Sequence, residues 1–468
     1  MRKKGDNLMG GWNRKRKEKR RRKKEEAARR AQLANQPVSI DSTKIDAPAM
    51  GSQGIMVQKQ GTNEPIPVIY GKTRTGGAQV FIKAEGAYTP SGETEIPNAF
   101  LHMVMTLCEG EINNCTKIYF NDVLAATNNS SSGDSDSWAI QSPFDGYVTI
   151  KFRAGSDSQS AISDLSNGSI MGNDPKFTGI AYVYFKLKYY ADIWKNGVPS
   201  ITFEVEGKKV PSTSDGTSLS YSDNPANCIL DYLTNTRYGK GIPVSQIDLP
   251  SFASAATHFN NEGFHCRGNL LTQVNMYDNM IDLFTCCNSS LTLGNKYKLV
   301  PEKTGSSVMT LDNYNTIGPL SYQLSSRAGL LNSIKVKFMD DSTDYKDNIK
   351  VIESSVLKTQ DNGALLQSEI FLPFTKTVAT AQRIATYKLN QSRQSNRIVL
   401  TASIEAMRLE PGDVVSLTNS TFNITNKLFR VTETIILPNN RIELSLREYD
   451  PNVYSLTILE NAKNDDND

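Results

Sequence analysis

The stretch from Tyr221 to Pro243 constrains the fold most, because a well-specified helix is followed directly by a glycine turn. Asn224 is a favourable N-cap, and Pro225 suits the first helical position, where a missing N–H costs nothing. The apolar residues then follow helical spacing and are Ala226, Ile229, Leu230 and Leu233. Gly239 and Gly241 end the helix. The pattern predicts a helix that packs one face on a core and leaves it through a tight turn.

Length and composition exclude several classes of protein. A chain of 468 residues with a hydrophobic share of 38% predicts several packed domains. No run of about 18 apolar residues is present, so we expect no membrane span. The start, MRKKGDN, is charged rather than apolar, so we expect no secretory signal and a protein that folds in the cytoplasm of the cell that makes it. In that reducing compartment the six cysteines are predicted to be buried thiols. They are Cys108, Cys115, Cys228, Cys266, Cys286 and Cys287.

The positive charge is concentrated in one N-terminal segment. Residues 1–30 hold 15 Lys and Arg against 4 Asp and Glu, whereas the remaining 438 residues hold 37 against 45. This basic arm is too polar to bury, and we expect it to be disordered or a solvated helix. It is either a solubilising tail or a contact for DNA or an acidic protein. The candidate contact residues are Arg14, Lys15, Arg16, Lys17, Arg20, Arg21, Arg22, Lys23 and Lys24.

Residues 31–60 are predicted to be a linker, and residues 61–215 a β-rich domain. Val68 to Tyr70 and Val80 to Ile82 flank a glycine turn and predict a hairpin. Leu101 to Leu107 predicts a strand that turns at Glu109 and Gly110 and returns along Ile118 to Phe120. Three further segments alternate polar and apolar residues with the period of half-buried strands. They are Val148 to Arg153, Ala181 to Tyr189 and Ile201 to Val205.

Residues 216–305 predict an α+β unit. Two more helices are expected there, at Ser251 to Asn260 and at Leu271 to Cys287. The second has a predicted apolar stripe of Val274, Tyr277, Ile281 and Phe284. Leu291 to Leu293 and Tyr297 to Val300 predict a hairpin around Gly294 and Asn295.

Residues 306–455 return to strands and predict a β-barrel domain with one helix, from Val378 to Gln391. Its strands are expected at Ile334 to Phe338, Ile398 to Ile404, Leu428 to Val431 and Ile442 to Leu446. Pro411 and Gly412 predict a turn, and residues 456–468 an acidic tail. The fold class expected is mainly β with an α+β insert, in which small tube-like β-barrels bracket the α+β unit.

The residue patterns point to no enzyme and to no catalytic, cofactor-binding or metal-binding residue. Glu109 and Glu111 are more typical of a charged turn than of a catalytic pair. The residues His265, Cys266, Cys286 and Cys287 lack the paired ligand spacing of zinc sites. Two acids brought together by folding would leave no local pattern, so a wall-degrading or polysaccharide-degrading hydrolase stays open. A nucleic-acid-binding protein that acts through the basic arm is the other alternative.

Several motifs in one order resemble the lambda-type phage tip attachment proteins, the J-like family. The central motif is the helix that starts at Asn224 and Pro225 and ends in TxxRYGxG, with Thr234, Arg237, Tyr238, Gly239 and Gly241. IPVIYG precedes it; a PGD turn and a final REYD follow it. The resemblance covers about residues 61–455. Members of that family often continue into receptor-binding modules, whereas this sequence ends soon after REYD.

The resemblance implies a virion structural protein, without cofactors, that forms the hub of a tail tip or baseplate. It implies a homotrimer that closes the distal end of the tail tube and forms the channel for genome ejection into the host cell. Its implied partners are the distal tail protein, the tail tube, the tape measure protein, other tip proteins and a separate receptor-binding fibre. Contact with phage DNA would be transient, and contact with the host envelope indirect.

Overall fold

The computed structural model describes residues 59–60, 65–89, 95–168, 170–195, 197–324, 329–394, 396–454 and 462–464. The basic arm, with its nine candidate residues between Arg14 and Lys24, lies outside the described residues. So do most of the predicted linker and most of the acidic tail. The described part consists mainly of strands in several sheets, with helices concentrated in one unit. The predicted class, mainly β with an α+β insert, is confirmed.

The N-terminal unit contains the first twelve strands. They are β1 (Lys59–Gln60), β2 (Val68–Tyr70), β3 (Lys72–Thr75), β4 (Ala78–Tyr88), β5 (Ile96–Glu109), β6 (Ile112–Phe120), β7 (Val123–Asn128), β8 (Trp138–Ile140), β9 (Val148–Arg153), β10 (Ile180–Lys188), β11 (Ile201–Pro211) and β12 (Leu219–Tyr221). A short helix, α1 (Ser163–Ser166), lies between β9 and β10. One sheet has the order β1-β4-β5-β10-β9, and the other has the order β12-β11-β6-β7-β8, with β3 also paired to β11.

The two sheets pack face to face around one core. Met103 and Phe185 come from the first sheet, and Ile118 and Phe203 from the second, and all four are fully buried in the same cluster. The period-two strands β9, β10 and β11 contribute the apolar residues that the sequence predicts. The exception is Tyr189, which lies after β10 and is exposed. This arrangement is a sandwich of two open sheets.

Both predicted hairpins in this unit are wrong. Strand β2 does not pair with β4; it pairs with the much later strand Gly268–Leu270. Strand β6 does not return along β5, because Gly110, with a φ of 86°, directs the chain from one sheet into the other. A turn signal in the sequence shows where the chain changes direction, but it does not determine which strand the next strand pairs with.

The middle unit contains three helices and three short strands. They are α2 (Pro225–Thr234), α3 (Leu249–Glu262), β13 (Gly268–Leu270), α4 (Met276–Thr285), β14 (Ser289–Leu293) and β15 (Tyr297–Pro301). Helix α2 and the β14–β15 hairpin agree with the sequence-based prediction. The prediction for α4 is partly wrong: Asn275 accepts a hydrogen bond from the backbone N–H of Tyr277, so the helix begins at Met276. As a result Val274 precedes the helix and Tyr277 is exposed.

The remaining elements form two further sheets and two helices. They are β16 (Ser307–Leu311), β17 (Thr316–Gln323), β18 (Ser333–Asp340), β19 (Lys346–Glu353), α5 (Ser355–Gln360), β20 (Gln367–Leu372), α6 (Val378–Ser392), β21 (Arg397–Ala402), β22 (Val414–Asn419), β23 (Ile424–Leu437), β24 (Arg441–Glu448) and β25 (Ala462–Asn464). The sheet β20-β18-β19-β25 is covered by α6. Ile334 on β18 and Ala381 on α6 share a core with Leu230 on α2 and Phe252 on α3. This core therefore extends across residues 226–299 and 334–389, and it also includes Val68, Tyr70 and Val210.

The last sheet, β16-β22-β23-β24-β21-β17, curls around a core of its own. Its two edge strands, β16 and β17, are consecutive in the chain and are joined by residues 312–315, so the edges must lie near each other. The described strands nevertheless show no pairing between β16 and β17, and the sandwich sheets are also open. The prediction of closed barrels is therefore corrected to a sandwich and a rolled open sheet. The prediction that Ile404 is an inward-facing strand residue is wrong. It is exposed in the 3₁₀ helix Ile404–Arg408.

None of the described helices is both long and apolar enough to cross a bilayer.

Candidate functional site

A buried polar network holds the exit turn of α2. Asp231 lies on the last turns of α2 and is almost fully buried. Its carboxylate accepts hydrogen bonds from the hydroxyls of Tyr70 on β2, at 2.7 Å, and of Tyr238 in the exit turn, at 2.5 Å. One side chain therefore fixes the start of the sandwich unit to the helix and to the turn that follows it.

The TxxRYGxG motif is held by backbone geometry as well as by side chains. The N–H groups of Lys240 and Ile242 donate to the carbonyls of Tyr232 and Leu233, which satisfies the last turn of α2. A Cβ on Gly239 would lie 2.1 Å from the carbonyl oxygen of Tyr232. Only glycine permits this close approach, which explains structurally why the motif has a glycine at position 239.

The exit turn contacts the sandwich at the point where the chain changes sheet. Arg237 forms an ion pair of 2.8 Å with Glu109, the last residue of β5. Lys208 on β11 lies over the ring of Tyr238, with its ammonium 5.5 Å from the ring centroid. The same ammonium packs so closely on Gly110 that a Cβ there would lie 2.4 Å from it. Glu109 and Glu111, the carboxylates considered from sequence, are thus ion-paired; Glu111 pairs with Lys209.

Burial shifts the acid–base properties of this network. Burial raises the pKa of Asp231, while Lys208 and the two tyrosine hydroxyls act in the opposite direction. Burial also raises the pKa of Tyr238, and the neighbouring Asp231 carboxylate raises it further. Both tyrosines therefore stay protonated and remain hydrogen-bond donors to the carboxylate.

A second charged cluster connects the middle unit to β18. Arg267 donates to Asp223 at 2.8 Å and to Asp341 at 3.4 Å. Nδ1 of His265 lies 3.1 Å from the same carboxylate oxygen of Asp223. Burial would raise the pKa of Asp223, but its contacts with His265 and Arg267 lower that pKa to about 2. His265 therefore lies next to a carboxylate that stays ionised at neutral pH.

A third cluster connects the hairpin β14–β15 to the rolled sheet. Glu302, just after β15, accepts a hydrogen bond from Arg447 at 2.9 Å and from the hydroxyl of Tyr454 at 2.7 Å. Arg430 lies 3.4 Å from the same carboxylate. Burial opposes the charged form, yet Arg447 and Arg430 lower the pKa of Glu302 to about 2. Sequence reasoning missed Glu302, because no local pattern marks a carboxylate whose partners are over 120 residues away.

One surface cavity brings two carboxylates together and tests the hydrolase alternative. It has a volume of about 430 Å³ and is lined by Glu262 and Glu302, with His258 and Tyr387 nearby. Glu262 is paired with Arg383 at 2.9 Å, and Glu302 is held ionised by its two arginines. A glycosidase needs one carboxylic acid that can donate a proton near neutral pH. Glu302 lacks the surroundings that would keep it protonated, and Glu262 is engaged by Arg383.

The six cysteines are buried free thiols, as predicted. Four of them, Cys228, Cys266, Cys286 and Cys287, belong to the core of the middle unit. Within the described residues, no group of three or more His, Cys, Asp or Glu side chains is arranged to hold a metal ion. The four thiols in that core pack among apolar side chains, as small hydrophobic residues do.

Comparisons with known proteins agree with a structural role. A family of phage tail proteins (Phage-tail_3) matches residues 285–434. Baseplate hub protein pb3 of Escherichia phage T5 is 22% identical over 475 aligned positions, which cover 86% of this chain and 49% of that protein. The chain thus spans about half the length of this curated relative.

A solved structure has the same fold over most of the chain. It is a chain in the virion of a native gene transfer agent particle, with a TM-score of 0.60 and 15% identity, and 88% of this chain and 91% of that chain are covered. The sequence matches relate the chain to phage tail and baseplate hub proteins, and the solved structure shows that it shares a fold with a chain of a virion.

Proposed function

We propose that the chain is the hub of a phage tail tip, of the lambda-type tip attachment family, and that it assembles as a homotrimer at the distal end of the tail. The similarity to a baseplate hub protein over 86% of this chain carries the proposal. In this role the trimer closes the tail tube and becomes the channel through which the genome leaves. The protomer is assembled in the host cytoplasm and then becomes part of the virion.

The described units suit a rigid ring component. Asp231, Arg267 and Glu302 each join elements from different parts of the chain through buried or half-buried polar contacts. Unpaired buried charges are costly, so these contacts disfavour separation of the units. A protomer held in this way can transmit load along the tail without opening. The outer faces of its sheets remain available for neighbouring subunits.

The proposed partners follow from that position. The distal tail protein and the tail tube would lie above the ring, and the tape measure protein inside it. Other tip proteins and a receptor-binding fibre would attach below, so that contact with the host envelope is indirect. The nine basic residues between Arg14 and Lys24 are proposed to reach the tape measure protein, and transiently the DNA, through charge attraction.

The oligomeric state is the first test. Native mass measurement of the purified protein is expected to give three times the protomer mass of 51.8 kDa. A monomer across the micromolar range, both alone and mixed with its distal tail protein, would contradict the proposed ring.

The basic arm has a separate test. Deletion of residues 1–30 is expected to leave the trimer intact and to block tail assembly or genome delivery. Replacing the nine candidate residues by glutamine should have the same effect, whereas shuffling the order of residues 14–30 preserves the charge and should have little effect. Wild-type infectivity after the deletion would contradict the proposed role of the arm. It would leave the proposed hub function of the rest of the chain unaffected.

A further inference from the structure

Three arginines lie side by side on adjacent strands of the rolled sheet. Arg397 on β21 is directly opposite Arg447 on β24, and Arg447 is directly opposite Arg430 on β23. Like charges in directly opposed positions repel one another and destabilise a sheet. Such a row needs negative charge nearby, either from the protein or from a ligand.

Glu302 supplies that charge to two members of the row. Glu302 lies against Arg447 and Arg430, as described above. The side chain of Arg397 is exposed and forms no ion pair or hydrogen bond with any residue that the structure describes. The Arg397 end of the row therefore has no carboxylate partner among the residues that the structure describes.

A cavity opens at the Arg397 end of the row. Its volume is about 280 Å³, and it lies between α6, β20 and the rolled sheet. Arg397, Arg447 and Lys388 contribute three cationic side chains to its wall, and the described lining residues include neither Asp nor Glu. Ser368 and Ser392 add hydroxyl groups. Gln391, with its amide oxygen toward Arg447, accepts from that guanidinium at 3.0 and 3.2 Å and holds it in place.

We propose that this cavity binds a phosphate group. Guanidinium groups match the oxygens of phosphate in a bidentate manner, and the Lys388 ammonium adds a point charge. The hydroxyl of Ser368 can donate to a remaining oxygen, whereas the hydroxyl of Ser392 already donates to the carbonyl of Leu389. The volume suits a phosphate or diphosphate with its first waters and is small for a larger organic ligand. The phosphate could belong to a free anion or to a nucleic acid backbone, and the same donors would serve either. This site is independent of the basic arm and of the hub function.

Binding is tested by calorimetric titration of the full-length protein with pyrophosphate, at about 0.15 M salt to screen long-range attraction. The wild type is compared with Arg397→Ala and with the control Arg441→Ala. Arg441 is exposed at the far end of β24 and points to the same face of the sheet, but it does not line the cavity. Arg397→Ala is expected to raise Kd by about tenfold or more, since it removes charge-assisted hydrogen bonds. Arg441→Ala is expected to leave Kd unchanged, and both variants should keep the wild-type melting temperature.

A second arm of the experiment identifies the source of the phosphate. A short single-stranded oligonucleotide that displaces pyrophosphate from the wild type, and does so more weakly in Arg397→Ala, would assign the site to a nucleic acid backbone. Pyrophosphate binding that the oligonucleotide does not displace would assign it to a free anion. Absence of pyrophosphate binding to the wild type, or equal losses in the two variants, would overturn the proposal.

Discussion

Glu302 and Arg447 form a hydrogen-bonded ion pair of 2.9 Å although they are 145 residues apart in the chain. Both side chains are about nine-tenths buried. Arg430 and Tyr454 contact the same carboxylate, so the hairpin β14–β15 and the rolled sheet are joined through one acid. Because a buried charge without its partner is far more costly than one in water, this pair should control whether the two parts stay together.

Replacing Glu302 by glutamine is expected to lower the free energy of unfolding by about 3 to 5 kcal/mol, because Arg430 and Arg447 would lose their shared counter-charge. Urea denaturation followed by circular dichroism measures the change. Glu369→Gln is the matched control, since Glu369 is exposed on β20 and should cost no more than about 0.5 kcal/mol. Equal effects of the two substitutions would show that the buried cluster does not stabilise the fold.

The same cluster predicts a dependence of stability on pH. The pKa of Glu302 falls from its usual 4.5 to about 2 on folding, so the folded protein binds fewer protons between these values. The stability from Glu302 is therefore complete above about pH 4.5 and is lost as the pH falls toward 2. In denaturation series from about pH 7 to about pH 3, the difference between wild type and Glu302→Gln should shrink on acidification. A difference that stays constant or grows would contradict the assigned ionisation.

The hydroxyl of Tyr238 has a separate role that a conservative change can test. Tyr238→Phe removes one of the two tyrosine donors to the buried Asp231 and should lower the free energy of unfolding by about 1 to 3 kcal/mol. Tyr277→Phe removes a hydroxyl from an exposed ring and should be close to neutral. Thermal and urea unfolding of both variants provide the measurement. If Tyr238→Phe is as stable as the wild type, water or Lys208 compensates for the lost donor.

Sequence reasoning predicted the elements whose signals are local. Helix α2 follows from its cap at Asn224 and its apolar spacing, and the strands β9, β11 and β18 follow from alternation over a few residues. Strand partners could not be predicted in this way, because a period-two pattern does not specify which edge it will meet. Val68–Tyr70 pairs with Gly268–Leu270, about two hundred residues later. The prediction of closed barrels was wrong for the same reason, since closure of a barrel depends on one additional pairing between the two edge strands of a sheet.

The polar sites were even harder to predict from the sequence than the strand partners. Tyr238 and Arg237 were found through the motif, but their partners Asp231 and Glu109 carry no sequence signal of pairing. The arginine row is visible only once the register of β21, β23 and β24 is known. The basic arm is the opposite case: its composition is clear from the sequence, and its residues lie outside those that the structure describes.

The closest backbone approach in the motif yields the last prediction. Gly239→Ala places a methyl group 2.1 Å from the carbonyl oxygen of Tyr232, so the exit turn must shift and pull Tyr238 away from Asp231. We expect a loss of about 1 to 3 kcal/mol, because the inserted methyl group forces the backbone to shift. Gly294→Ala is the control, because a Cβ on Gly294 meets nothing within 4 Å, and Gly294 lies in the β14–β15 turn of the same unit. Urea denaturation of both variants measures the difference. A Gly239→Ala protein as stable as Gly294→Ala would mean that the turn can relax without disturbing Asp231, and the buried network would then not depend on the glycine.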